Sequence, residues 1–282
     1  MADTDQQFLS RRKWLGLVST PALAASLGAG AFVEKISAAE PATNATIKND
    51  LGARIYNIRD FGAKGDGETL DTAAVQAAID ACNKDQGGIV LAPAGVFVIG
   101  TVEMKSNVTL RIAAGGTLLG SGHGKDYYAA NAIPLHGDAT LGDGNVGLIF
   151  AVHAENITVE GPGTIDGQGA QFLSPAKGLP SPAGIGGSHR PYHLMFYQCK
   201  NLTIQNIFLK DSAFHSMRIV QCTFAWFSGI RVHSRVIHNN DGFHFISSQF
   251  VHITNCDIQC QDDACALFGS CKFVTVTNCS FS

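Results

Sequence analysis

Two short stretches hold residues suited to breaking bonds. One is Asn239-Asn240-Asp241-Gly242. The other, 21 residues on from Asp to Asp, is Gln261-Asp262-Asp263. Charged residues are only 15% of the chain, so adjacent carboxylates are not incidental filler. Like charges held close oppose each other's ionisation and raise at least one pKa. A carboxyl kept protonated can give its proton to a leaving oxygen. An ionised partner can activate water on the other face of a sugar ring. The group therefore suits hydrolysis of glycosidic bonds. A calcium site or a solvated acidic turn uses the same residue types and is the competing explanation. Arg190, His215, His238 and His244 form a polar stripe beside the carboxylates, and Tyr192 shares the column of Arg190. Of these, Arg190, Tyr192, His215 and His244, with Asn239, are the candidate substrate contacts.

Something must bring Asp241 next to Asp262 and Asp263, and the chain contains a device for it. Lys200-Asn201-Leu202-Thr203-Ile204 aligns with Thr223-Phe224-Ala225-Trp226-Phe227. It aligns again with Gln249-Phe250-Val251-His252-Ile253 and with Lys272-Phe273-Val274-Thr275-Val276. The reference positions Asn201, Phe224, Phe250 and Phe273 are 23, 26 and 23 residues apart. Earlier copies start at Asn107 and Asn156. Short alternating strands repeated with a period in the low twenties signal a solenoid. A leucine-rich repeat would need recurring Leu, which is missing, so a parallel β-helix fits better. Equivalent residues then stack about 4.8 Å apart. Inward ladders follow: Leu202/Ala225/Val251/Val274 and Ile204/Phe227/Ile253/Val276. Phe224, Phe250 and Phe273 form an aromatic stack. Nine to eleven residues before each reference position, one column gathers Asp262-Asp263, Asn239–Asp241, Ala213–His215 and Arg190–Tyr192. The alignment predicts that this column is exposed on one side of successive coils.

The only convincing helix runs from Asp71 to Asn83. Val75, Ile79 and Cys82 give it one apolar stripe, and Asp71 or Thr72 can cap its start. Five of the eight cysteines follow the strand frame, Cys199, Cys222 and Cys271 in one column and Cys256 and Cys279 in another. Stacked Cβ atoms on parallel strands sit slightly too far apart for disulfides, so buried thiols are expected.

The composition of 45% hydrophobic residues and 31 Gly in 282 residues excludes disorder, collagen and a coiled coil. A net charge of −3 argues against a nucleic-acid partner. Residues 1–39 read as a twin-arginine export signal: Arg11-Arg12-Lys13, an apolar run from Leu15, then small residues. Cleavage after Ala31 or Ala39 would leave no stable membrane insertion. The Gly- and Pro-rich stretch 174–188 is expected to shape a groove.

Two regions resemble the family 28 glycoside hydrolases, the polygalacturonase family. Asp60-Phe61-Gly62-Ala63-Lys64-Gly65-Asp66-Gly67, with Gly87-Gly88-Ile89-Val90-Leu91-Ala92-Pro93 and Asn107-Val108-Thr109-Leu110, looks like the N-terminal cap of pectin-degrading β-helices. Asn239-Asn240-Asp241 and Asp262-Asp263 look like the family's Asn-Thr-Asp and Asp-Asp motifs, at matching spacing. The resemblance implies an all-β, single-stranded right-handed parallel β-helix over 40–282 with an N-terminal cap helix. It implies Asp262 as general acid, and Asp241 and Asp263 as the pair that holds and activates water in an inverting hydrolysis. It also implies a pectin-type polysaccharide partner, no metal or other cofactor, and a monomer when full length. Phe268 stands where a Lys is common, and Asn240 where Thr is usual. The family's Gly-His-Gly and Arg-Ile-Lys motifs are absent, so C-terminal coils are expected to be missing. The expected location is periplasmic or secreted. The alternatives are a β-helix lyase or epimerase on uronate polymers, or an inactive glycan-binding solenoid.

Overall fold

Asparagine at the corners of the repeat does a specific backbone job. Asn107, Asn156 and Asn201 all have φ between 53° and 64°. That left-handed conformation turns the chain from one strand direction to the next, and Asn tolerates it better than most residues. Their side chains also bond along the stack. Nδ2 of Asn156 donates to Oδ1 of Asn107 at 2.8 Å, and Nδ2 of Asn201 donates to Oδ1 of Asn156 at 3.0 Å. Further along, Phe224, Phe250 and Phe273 take the same corner with φ of 54–58°. They stack with ring centroids 4.9 and 4.7 Å apart, as the sequence predicts. A bulky side chain in this conformation is uncommon, so ring stacking replaces the lost amide bonds.

A computed structural model describes residues 53–128, 146–172 and 190–282. The export signal and the stretch 174–188 lie outside the described residues. Three parallel sheets form the body. The first holds eight strands, among them Lys200–Gln205, Thr223–Ser228, Gln249–Thr254 and Lys272–Thr277. The second also holds eight, among them Phe208–Lys210, Arg231–Ser234 and Asp257–Cys260. The third holds six, including Gly147–Val152, Tyr192–Tyr197, Met217–Val220, Phe243–Ile246 and Cys265–Phe268. Each coil visits the third, first and second sheet in turn. The result is the parallel β-helix that the repeat implies, with the right hand that the family resemblance implies.

The predicted ladders are in register. Leu202 pairs with Ala225, Ala225 with Val251, and Val251 with Val274. Leu202, Ala225 and Val251 are fully buried, and so are Ile204 and Phe227 beside them. In the last coil Val276 is exposed. Helix α1 spans Thr72–Lys84 and buries Val75, Ala78, Ile79 and Cys82. Its start differs from the expectation. The Asp71 side chain makes no cap bond; it accepts from the N–H groups of Lys64 and Gly65 at 2.7 and 2.9 Å. Thr72 Oγ1 accepts from Gly100 N–H at 2.7 Å. Both side chains thus tie the helix start to the first coils rather than to its own backbone. All eight cysteines are free thiols, as expected. Among the described residues no helix is long and apolar enough to cross a membrane.

Candidate active site

The loops that lead from the second sheet into the third carry the polar column. Parallel pairing of Phe243 with Met217 and with Cys265 fixes the rungs. Backbone bonds extend them: Gly242 N–H donates to the Asp263 carbonyl at 2.9 Å, and Ser216 N–H to the Asp241 carbonyl at 2.8 Å. His193 N–H donates to the His215 carbonyl at 3.2 Å. Tyr192, His215, Asp241 and Asp263 therefore occupy successive rungs, as the alignment predicts.

Asn240 locks the central loop. It is fully buried. Its Oδ1 accepts from Val236 and Ile237 N–H groups, each at 3.1 Å. Its Nδ2 donates to the carbonyls of Ser212 and Phe214 at 2.7 and 3.0 Å. Every hydrogen-bonding site of this amide has a partner, which fixes both Asp241 and the preceding rung. Sequence reasoning treated Asn240 only as a replacement for Thr and missed this role.

A cavity of about 170 Å³ opens at this column. Its walls include Asn239, His215, Asp241, His244, Asp262 and Asp263, all sequence candidates, with Phe214 and Phe268. Asp241 is buried while Asp262 and Asp263 are exposed. His244 Nδ1 stands 2.8 Å from Asp241 Oδ2, and His215 Nε2 stands 3.6 Å from it. Burial pushes the Asp241 carboxyl up from its ordinary value. The bond and charge of His244 oppose that rise, and the negative charges of Asp262 and Asp263 add to it. Burial pushes the His215 imidazole well down, and His244, Arg218 and Arg190 push it further. His215 is stacked between His244 and Phe214, with centroids 4.2 and 4.1 Å away. Phe268 stacks on the other face of His244 at 4.8 Å. Asn239 Nδ2 reaches Asp262 Oδ2 at 3.5 Å, and Asp262 Oδ1 accepts from Asp263 N–H at 3.0 Å.

The expectation of a wholly exposed column is corrected. Arg190, Tyr192 and His215 are buried. Arg190 and Tyr192 lie behind the cavity wall rather than on it. The reason for Arg190 is its hydrogen bonding. Nη1 donates to the carbonyls of His238 and Ala213 at 2.6 and 3.4 Å, and Nη2 to Asn239 Oδ1 at 3.3 Å. Its guanidinium also lies 4.1 Å from the Phe214 ring centroid. It holds the loops that present Asn239 and Asp241. The exposed His238 contributes its carbonyl. His215, Asp241 and His244 each offer one ligand atom, all within 4.8 Å of one another. The donor set suits a late transition metal. The His244–Asp241 hydrogen bond accounts for the closest of these contacts without an ion.

The family model for glycosyl hydrolases family 28 matches residues 82–282. The chain belongs to this family. An exo-poly-alpha-D-galacturonosidase of Dickeya chrysanthemi is 39% identical over 132 residues, 44% of this chain and 21% of that protein. A probable polygalacturonase of Vitis vinifera is 30% identical over 223 residues, 76% of this chain and 44% of that protein. The solved family 28 exopolygalacturonase of Yersinia enterocolitica matches with a TM-score of 0.67 and 26% identity. That match covers 81% of this chain and 49% of that one. This family 28 chain thus spans less than half the length of these relatives. Within it, the match contains every rung of the cavity.

Proposed function

We propose that this chain carries the acid–base centre of an exported hydrolase that cleaves glycosidic bonds in pectin-type, galacturonate-containing polysaccharide. The observation that carries the reading is the meeting of Asp241, Asp262 and Asp263 around one cavity on adjoining rungs. Family membership and the names of the relatives support the substrate class.

In this reading Asp262 protonates the leaving oxygen. Its exposed carboxyl faces the cavity and can reach an incoming chain. Asp241 and Asp263 hold a water and take its proton on the opposite side of the bond, which inverts the anomeric centre. The environment of Asp241 fits the second role. Burial raises its affinity for a proton, and His244 keeps the ionised form accessible. Asn239 orients Asp262 through its amide. The twin-arginine sequence supports export to the periplasm or beyond.

Digestion of polygalacturonate by the full chain, read as new reducing ends, tests the activity. Proton NMR of the first product tests inversion. No reducing ends, or first products of retained configuration, would overturn the corresponding part.

A further inference from the structure

One charged group, paired in register with the cavity-lining His244, has no hydrogen-bond or ion-pair partner among the described residues. Arg218 lies in the strand Met217–Val220 and is 3% exposed. Its Nη1 is shut off from solvent and meets no hydrogen-bond acceptor. Arg218 enters no ion pair among the described residues. Its neighbours include Met195 on the preceding rung, an aromatic ring and a histidine, and none of these is an anion. Its guanidinium sits 5.1 Å from the Tyr192 ring centroid, and it pairs in register with His244 on the next rung. Met217 and Ile219 on either side belong to the core, so Arg218 projects from the outer side of the sheet. The Tyr192 ring in turn meets His215 at 5.2 Å, and His215 lines the cavity.

Arg190 offers a contrast within the same region. Its guanidinium is engaged by backbone carbonyls and by Asn239. Arg218 has nothing equivalent. A buried cation without a counterion is strongly unfavourable, and a fold retains one where an anionic ligand completes it. The cavity walls themselves contain no Lys or Arg. The position where the family resemblance leads one to expect Lys is Phe268, stacked on His244. A planar guanidinium is the group best matched to a carboxylate, which it can grip with two parallel bonds.

We propose that Arg218 is a specificity-determining residue that receives the carboxylate of an acidic sugar, one rung to the N-terminal side of Asp241. It selects uronate units over their methyl esters and over neutral sugars. This rests on the glycan-hydrolase reading for the identity of the ligand, but not for the charge it recognises.

Isothermal titration of the full chain with trigalacturonate and with its methyl ester tests the selection. The unsubstituted chain is expected to bind the acid about tenfold more tightly than the ester, or better. Arg218→Gln should bring the ratio close to one, with Arg218→Lys between. A second readout guards against a merely structural role. Arg218→Met removes an uncompensated buried charge, so it should raise the ligand-free unfolding midpoint. Three results overturn the proposal: no acid preference in the unsubstituted chain, an unchanged ratio in Arg218→Gln, or a lowered midpoint in Arg218→Met. The two readings fail separately. Arg218-dependent acid binding without bond cleavage sinks the hydrolase reading alone. Cleavage with no effect of Arg218 on the acid-to-ester ratio sinks the carboxylate reading alone.

Discussion

His244 Nδ1 and Asp241 Oδ2 are 2.8 Å apart, three residues apart in sequence, and both buried. This contact opposes the burial that pushes the Asp241 carboxyl up. His244→Phe keeps a ring between His215 and Phe268 while removing the bond and the charge. The carboxyl of Asp241 should then rise further. If Asp241 must be ionised to draw a proton from water, the acid limb of the rate profile moves to higher pH. A profile of kcat/KM against pH checks this, and an unshifted acid limb would exclude Asp241 as the titrating base.

The same burial makes a stability statement. A carboxyl whose pKa is higher in the folded chain than its ordinary 3.8 binds its proton more tightly when folded. Stability is therefore lost as pH climbs through that window, because ionising the folded form is the harder step. Asp241→Asn escapes the loss. It should be more stable than the unsubstituted chain at about pH 7 and indistinguishable from it at about pH 3. Urea midpoints at the two pH values decide the matter. An advantage that persists at the lower pH would point to packing rather than charge.

Much of this was legible in the chain because strand alternation is local. The inward ladder from Leu202 to Val274 and the rung shared by Asp241 and Asp263 both follow from counting residues. Side-chain direction on the outer side of the third sheet was not legible. Whether Arg190 faces a groove or a backbone carbonyl depends on the loop at His238, 48 residues away. The same limit hid the stacking of Phe268 on His244, the four bonds of Asn240 and the isolation of Arg218. Each depends on which long side chain from another coil fills a given space, and the repeat pattern does not encode that. Asp71 failed as a cap for a related reason, since two N–H groups of a neighbouring loop took its carboxylate.

Asn240 gives a direct test of how the site is held. Removing its amide leaves two N–H groups and two carbonyls without partners in a buried loop. Asn240→Ala should cost about 3 kcal/mol or more. Asn240→Thr, which restores the residue usual in the family motif, can replace only part of the set and should cost about 1–3 kcal/mol. Urea unfolding gives both values. A near-neutral Asn240→Ala would mean that the loop is held elsewhere, with Arg190 the first residue to examine.

The asparagine stack separates backbone from side-chain contributions. Asn156 holds φ at 56°, donates to Asn107 and accepts from Asn201. Asn156→Gly keeps the left-handed corner and loses both bonds. Asn156→Ala loses the bonds and also strains the corner, by about 1–2 kcal/mol. The alanine variant should therefore be the less stable of the two by about 1 kcal/mol, after allowing for the extra freedom glycine gives the unfolded chain. Equal losses would assign the corner to the amide ladder alone.

Asp262 should separate chemistry from folding most cleanly. Its carboxyl is exposed, and Oδ1 accepts from Asp263 N–H, a bond that an Asn side chain can also accept. Asp262→Asn should leave the unfolding midpoint within the change of about 0.5 kcal/mol usual for surface sites. Activity should fall about 10²–10⁴-fold, the range lost with a general acid. The defect should also depend on the leaving group. An aryl galacturonide, whose phenolate departs without protonation, should retain far more of its rate than the polymer does. Equal losses on both substrates would remove Asp262 from proton donation and leave it a role in holding water or sugar.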